Sequence, residues 1–383
     1  MPRRCLLLLT AVVMLSAALA SAADLPEDQT LDLIPTVNLV PPPYRHRLVQ
    51  QLSIAEDNEQ SLLKAIATAN PAHREAMAFL LINMPEADLK SLKGNYLLNN
   101  VELAYQAREA TPWGNAIPKE IFFRDVLPYA NLDETREDWR KNYFDRFMPL
   151  VKDAKNASDA AMILNKDVFP AIKVKYHATK RLKPNQSPAE SAKIGYASCT
   201  GLSIILVDAC RAVGVPARVA GTALWNDKNG GNHTWTEVWD HQWYFIGSAE
   251  PGPLDQTWFV DNAAKADPSR PETRIYAVSF EHADTSFPMV WDMEQKDVSA
   301  EDVTDFYKDR QTLSVTAPAN TRIEIRQGDN LMAATSAADA NFSLAAGKPY
   351  TVTLQDHDGK TIKSRTITLS KIGGSSVNFS FKE

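Results

Sequence analysis

Cys199, at the head of an apolar stretch, and His233, 34 residues later, are the two residues whose types and spacing could do chemistry. A thiolate attacks carbonyl carbon, and a neighbouring imidazole can take the thiol proton and later deliver it to a leaving amine. The run Gly195-Tyr196-Ala197-Ser198-Cys199-Thr200-Gly201 is followed by Leu202, Ile205, Leu206, Ala209 and Val213 at helical spacing, and Gly214-Val215-Pro216 stops it. Cys199 therefore falls in a first helical turn. Unpaired backbone N–H groups and the positive end of the helix dipole there favour a thiolate, below the free-cysteine pKa of about 8.5. His233 opens His233-Thr234-Trp235-Thr236-Glu237-Val238-Trp239, bounded by Gly230-Gly231 and Asp240-His241-Gln242, and this composition predicts a strand. Alternation puts His233, Trp235 and Glu237 on one face. Laid against the Cys199 helix, such a strand would bring the imidazole within hydrogen-bond reach of the sulfur.

The elements that must position this pair follow from the rest of the chain. With 383 residues, 44% hydrophobic and 23% charged, the chain suits two or three domains with ample core. The net charge is −6 and the basic residues Lys173, Lys175, Lys180, Arg181 and Lys183 are scattered, which argues against nucleic acid as a partner. Residues 1–22 carry Arg3 and Arg4, an apolar run and the ending Ala20-Ser21-Ala22, the pattern of a secretory signal. The expectation is export to a bacterial periplasm, cell surface or medium, with no membrane span in the mature chain. Of the three cysteines, Cys5 lies in that segment, and Cys199 and Cys210 would sit roughly 16 Å apart on one helix, too far to bridge. Cys210 reads as a small core residue.

Residues 23–45, ending in Pro41-Pro42-Pro43, read as an extended segment. Residues 46–155 read as helical, with breaks at Asn70-Pro71 and Met84-Pro85. Residues 156–312 combine helices with antiparallel strands, including an acidic helix near Ala300 to Arg310. Residues 313–383 alternate Thr, Val, Ile and Ser between turn signals and read as a small immunoglobulin-like β-sandwich. The fold class is α+β.

Residues 190–259 resemble the transglutaminase-like, papain-related superfamily. The resemblance rests on a cysteine opening a helix, on Cys210-Arg211-Ala212-Val213-Gly214-Val215-Pro216-Ala217-Arg218 at its end, and on His233-Thr234-Trp235-Thr236-Glu237-Val238 followed by Trp243. It implies acyl transfer through a thioester by a Cys–His–Asp set, directed to water or to an amine. Cys199 matches the nucleophile and His233 the base. The family acid usually lies four residues after the tryptophan of the next strand; counted from Trp243, that position is Gly247. Glu250 is the candidate to orient His233 instead, with Asp255 and Asp261 farther along. Trp235, Trp243 and Ser198 are candidate walls of a substrate cleft. Glu237, roughly 13 Å along the strand from His233, reads as an ion-pair partner of Arg211 or Arg218.

No metal-ligand spacing occurs and no cofactor is implied. The expected partner is a peptide, protein or cell-wall amide. Asn232-His233-Thr234 is a glycosylation sequon beside the candidate base, which favours a bacterial setting. The competing expectation is a catalytically degenerate binding or scaffold protein, for which Gly247 at the acid's position is the main argument.

Overall fold

A computed structural model describes residues 31–369 and 376–381; the signal-like segment 1–22 lies outside the described residues. None of the described helices is long and apolar enough to cross a membrane. The stretch expected to be extended up to residue 45 instead holds a short helix, Leu33–Val37, and the start of another, Pro42–Ile54. The physical reason is positional. Pro41 caps with φ −57° and ψ 143°, and Pro42 and Pro43 fill the first helical positions, where a missing N–H costs no helical bond. The expected breaks hold: Asn70 caps a single turn at Pro71–His73, and helix Arg74–Asn83 ends before Pro85.

The amino-terminal helices and the Cys199 helix, Cys199–Ala212, share one apolar core. Two arginines tie the helical region to the end of that helix. Arg140 donates to the carbonyls of Val126, Pro128 and Arg211, and Arg211 to those of Asp125, Ala130 and Ala217. Gly214 follows at φ +74°, with the Ala107 carbonyl oxygen 3.0 Å from where a Cβ would stand. Both the left-handed backbone and the close approach call for glycine there.

Among the described residues, ten strands form one sheet. Its central, antiparallel part runs Gln242–Ile246, His233–Asp240, Ala217–Thr222, Tyr276–Val278 and Ser299–Asp302. The Cys199 helix covers one face, meeting Val219 and Val238; an aromatic cluster of Trp225, Trp235, Phe245 and Phe259 covers the other. The acidic helix expected near 300–310 is instead strand Ser299–Asp302 and a turn at Thr304–Tyr307. Its residues are held by partners on the sheet: Glu301 accepts from Arg218, and the Tyr307 hydroxyl donates to Glu237 at 2.6 Å.

The carboxy-terminal strands lie in two sheets around a second core that includes Leu313, Ile325, Phe342 and Tyr350. The expected boundary at residue 313 falls inside strand Arg310–Thr316. One of the two sheets continues the central sheet through the pairing of Ala333 with Gln242.

Glu237 pairs with Arg218 at 2.7 Å, both buried, as one of the two pairings expected for it. Replacing Glu237 by Leu leaves Arg218 with Glu301 alone. We expect a loss of about 3 kcal/mol in urea unfolding, the lower end for a broken buried pair because Glu301 remains; a change under about 1 kcal/mol would mean that the pair contributes little.

Candidate active site

Ser198 shapes the start of the Cys199 helix. Its backbone is extended, and its hydroxyl accepts from the Gly201 N–H at 3.0 Å and donates to the Pro184 carbonyl. This is helix capping by a residue 2% exposed, so Ser198 is not a cleft wall as expected from the sequence. Cys199 follows as the first helical residue and is partly exposed, whereas Cys210 is fully buried and burial pushes its thiol pKa well up. Cys199 opens into a cavity of about 60 Å³ whose wall includes Arg181, Thr222, Asn232, Thr234 and Trp291.

The helix and the His233 strand do lie together. The Thr200 and Thr234 hydroxyls are 3.2 Å apart, and both neighbours of His233, Asn232 and Thr234, line the Cys199 cavity. A chain of hydroxyls secures the contact. Ser203 donates to the Cys199 carbonyl, which leaves Ser248 to donate to Ser203 and Thr236 to donate to Ser248.

The face of the strand differs from the expectation. Thr234 meets the helix directly and Thr236 reaches it through Ser248, so His233 is turned to the opposite, aromatic side with Trp235 and Glu237. Its ring lies 4.9 Å from Trp258, 5.0 Å from Phe259 and 5.8 Å from Trp235. No hydrogen bond joins the His233 ring to Cys199 Sγ among the described residues, and His233 Nε2 is buried with no partner. Burial lowers its pKa to about 4. The ring is thus neutral across ordinary pH, able to accept a proton but costly to charge.

Trp235 and Trp243 are not on the Cys199 cavity either. Trp235 is fully buried, donating to the Tyr307 hydroxyl at 2.7 Å, and Trp243 lies beneath the Arg218 guanidinium at 3.8 Å. Both were expected as cleft walls; they pack the sheet.

Gly247, where the family pattern has its acid, is explained by Glu250. A Cβ on Gly247 would stand 2.1 Å from Glu250 Oε2 and 2.8 Å from its Cδ. The carboxylate of Glu250 therefore fills the volume that a side chain at 247 would occupy. Glu250 Oε1 accepts the Trp258 indole N–H at 2.9 Å, and Trp258, 60% exposed, leans on the His233 ring. Desolvation raises the Glu250 pKa, and the Trp258 bond opposes that shift. Asp255 is committed elsewhere: it accepts the Phe245 N–H and pairs with Arg310, both at 2.9 Å. Asp261 is exposed on a short helix, Val260–Ala263.

Two contributors were not found by sequence reasoning. Asn165, buried on helix Ala157–Ile172, donates to the carbonyls of Gly247 and Glu250 and accepts the Ala249 N–H, so it fixes the turn that carries Glu250. Ala249 sits in that turn at φ +65°, a conformation that a non-glycine residue holds only with such support. Trp258 is the other. Asn165 gave no signal of its own; a tryptophan in a loop just past Pro251 and Pro253 could have been noticed.

Residues 148–248 match the model of the Transglutaminase-like superfamily, and this segment is a transglutaminase-like core. Among solved structures, a candidate cysteine protease from Cytophaga hutchinsonii is similar at 15% identity and a TM-score of 0.25, over 30% of this chain and 39% of that one. The chain thus spans about two fifths of that protein's length. No curated protein matches the chain.

Proposed function

We propose that this protein is an exported thiol enzyme that transfers or hydrolyses the acyl group of a peptide, protein or cell-wall amide. The observation that carries the reading is the exchange at the acid's position, where Gly247 is vacated and the Glu250 carboxylate takes its volume. Cys199 Sγ attacks the carbonyl carbon, forming a C–S bond as the C–N bond breaks. For His233 to carry the thiol proton to the leaving amine, its ring must turn from the aromatic face toward Sγ. Water or an amine then cleaves the thioester and regenerates the thiol. The backbone N–H of Cys199 is the candidate oxyanion donor, and Glu250 reaches His233 only through Trp258, whose indole N–H it accepts and whose ring lies against the imidazole. Export rests on the signal pattern of residues 1–22.

A second reading, a binding protein on the same fold, is favoured by one observation: no hydrogen bond joins Cys199 to His233. The rate of Cys199 alkylation by iodoacetamide against pH separates the two. The enzyme reading expects alkylation faster than that of cysteine in an unstructured peptide, with no inflection near pH 6.5 because His233 is already neutral there. A curve that follows free cysteine would support the binding protein.

A further inference from the structure

Among the residues that line the Cys199 cavity, Arg181 is the single charged group; Pro184, Thr200, Thr222, Asn232, Thr234 and Trp291 are among its neutral walls. Arg181 is half-buried and enters no ion pair or hydrogen bond among the described residues. Its basic neighbours are occupied: Lys180 lies over the Tyr196 ring at 5.5 Å, and Lys183 pairs with Glu190 at 3.1 Å. Asp133, which accepts the Trp291 indole N–H, makes no ion pair with Arg181. A guanidinium partly withdrawn from water with no counter-charge is matched best by a carboxylate, which it can hold through two parallel hydrogen bonds.

The size of the cavity limits where that carboxylate can be. About 60 Å³ holds roughly four to six water-sized groups, enough for a carboxylate and one or two carbons beside a carbonyl at Cys199. We propose that Arg181 is the specificity-determining residue of this site and that it selects acyl donors with a free carboxylate one or two carbons from the carbonyl attacked, as in amides of dicarboxylic amino acids. The proposal rests on the reading of Cys199 as the nucleophile. An amide without that carboxylate would leave the guanidinium desolvated and unpaired, so rejection is built into the same contact.

Two alkylating agents of nearly equal size test it: iodoacetate carries the carboxylate, and iodoacetamide does not. Both rates are measured on the full chain by mass spectrometry of the Cys199 peptide, in the natural protein, Arg181→Gln and Arg181→Lys. Their ratio cancels any change in thiol ionisation, which affects both reagents alike. The expected result is a ratio, iodoacetate over iodoacetamide, that falls at least tenfold in Arg181→Gln and less in Arg181→Lys. A ratio unchanged by either substitution overturns the assignment, whatever the turnover. A ratio that falls in a protein that turns over no amide retains Arg181 as a carboxylate receptor and removes the enzyme reading instead.

Discussion

Cys199→Ala should abolish acyl transfer, to below about one ten-thousandth of the natural rate, while the unfolding midpoint moves by no more than about 2 °C. The first half follows from chemistry. Without a nucleophile no thioester forms, and neither His233 nor the first-turn N–H groups can replace it. The second half follows from position. Cys199 is a partly exposed first residue of its helix, and the cap is supplied by Ser198 and the lateral tie by Thr200, both unaffected by the substitution. Alanine is also the better helix former. Intact-mass detection of an acyl-enzyme from an activated ester, together with a thermal scan, reads both quantities. An acyl adduct that persists in the variant would locate the nucleophile elsewhere. A fall of many degrees with no adduct in either protein would make Cys199 a packing residue and favour the binding-protein reading.

How far such a site can be read from sequence depends on whether its geometry is local. The Cys199 helix was legible because apolar spacing, a Ser cap and a Gly-Val-Pro stop are all local signals, and the observed end at Ala212 differs by one residue from the last periodic position. The carboxy-terminal strands were legible for the same reason; Tyr350 to Leu354 was expected, and Pro349–Gln355 is found. The relation between Cys199 and His233 was not. Alternation shows that His233, Trp235 and Glu237 share a face, but it cannot say which face meets the helix when both are covered, and here Thr234 and Thr236 take that place. The residues near 300–310 failed differently. Their strand and turn are set by Arg218, Glu237 and Trp235, which lie far back in the chain and override local propensity. Gly247 was noticed as a missing acid, yet its sense depends on a side chain three residues on that folds back over it.

That fold-back makes Gly247 and Glu250 one unit, and exchanging them tests it. Gly247→Ala places a methyl group 2.1 Å from Glu250 Oε2. Gly247 has no left-handed backbone to defend, and the atom it meets ends a flexible side chain, so the fold should survive with the midpoint shifted by only a few degrees. The carboxylate is expelled instead, and its bond from Trp258 is lost. Loss of a charge-assisted contact of about 1.5–3 kcal/mol corresponds to a fall in kcat/KM of roughly 10- to 100-fold. Glu250→Gln should give a fall of similar size. Asp255→Asn, which weakens the pairing with Arg310, should reduce stability more than turnover. The decisive case is the double substitution Gly247→Asp with Glu250→Gly, which restores an acid at the position the family pattern assigns and clears the space in front of it. Turnover should recover to within about tenfold of the natural protein, because the space beside Gly247 and Trp258 receives a carboxylate from either position. If Gly247→Ala leaves turnover unchanged, the Glu250 carboxylate has no part in the reaction. If only the double variant fails, the hollow accepts the longer side chain alone, and the departure from the family pattern is then a different catalytic geometry and not a relocated acid.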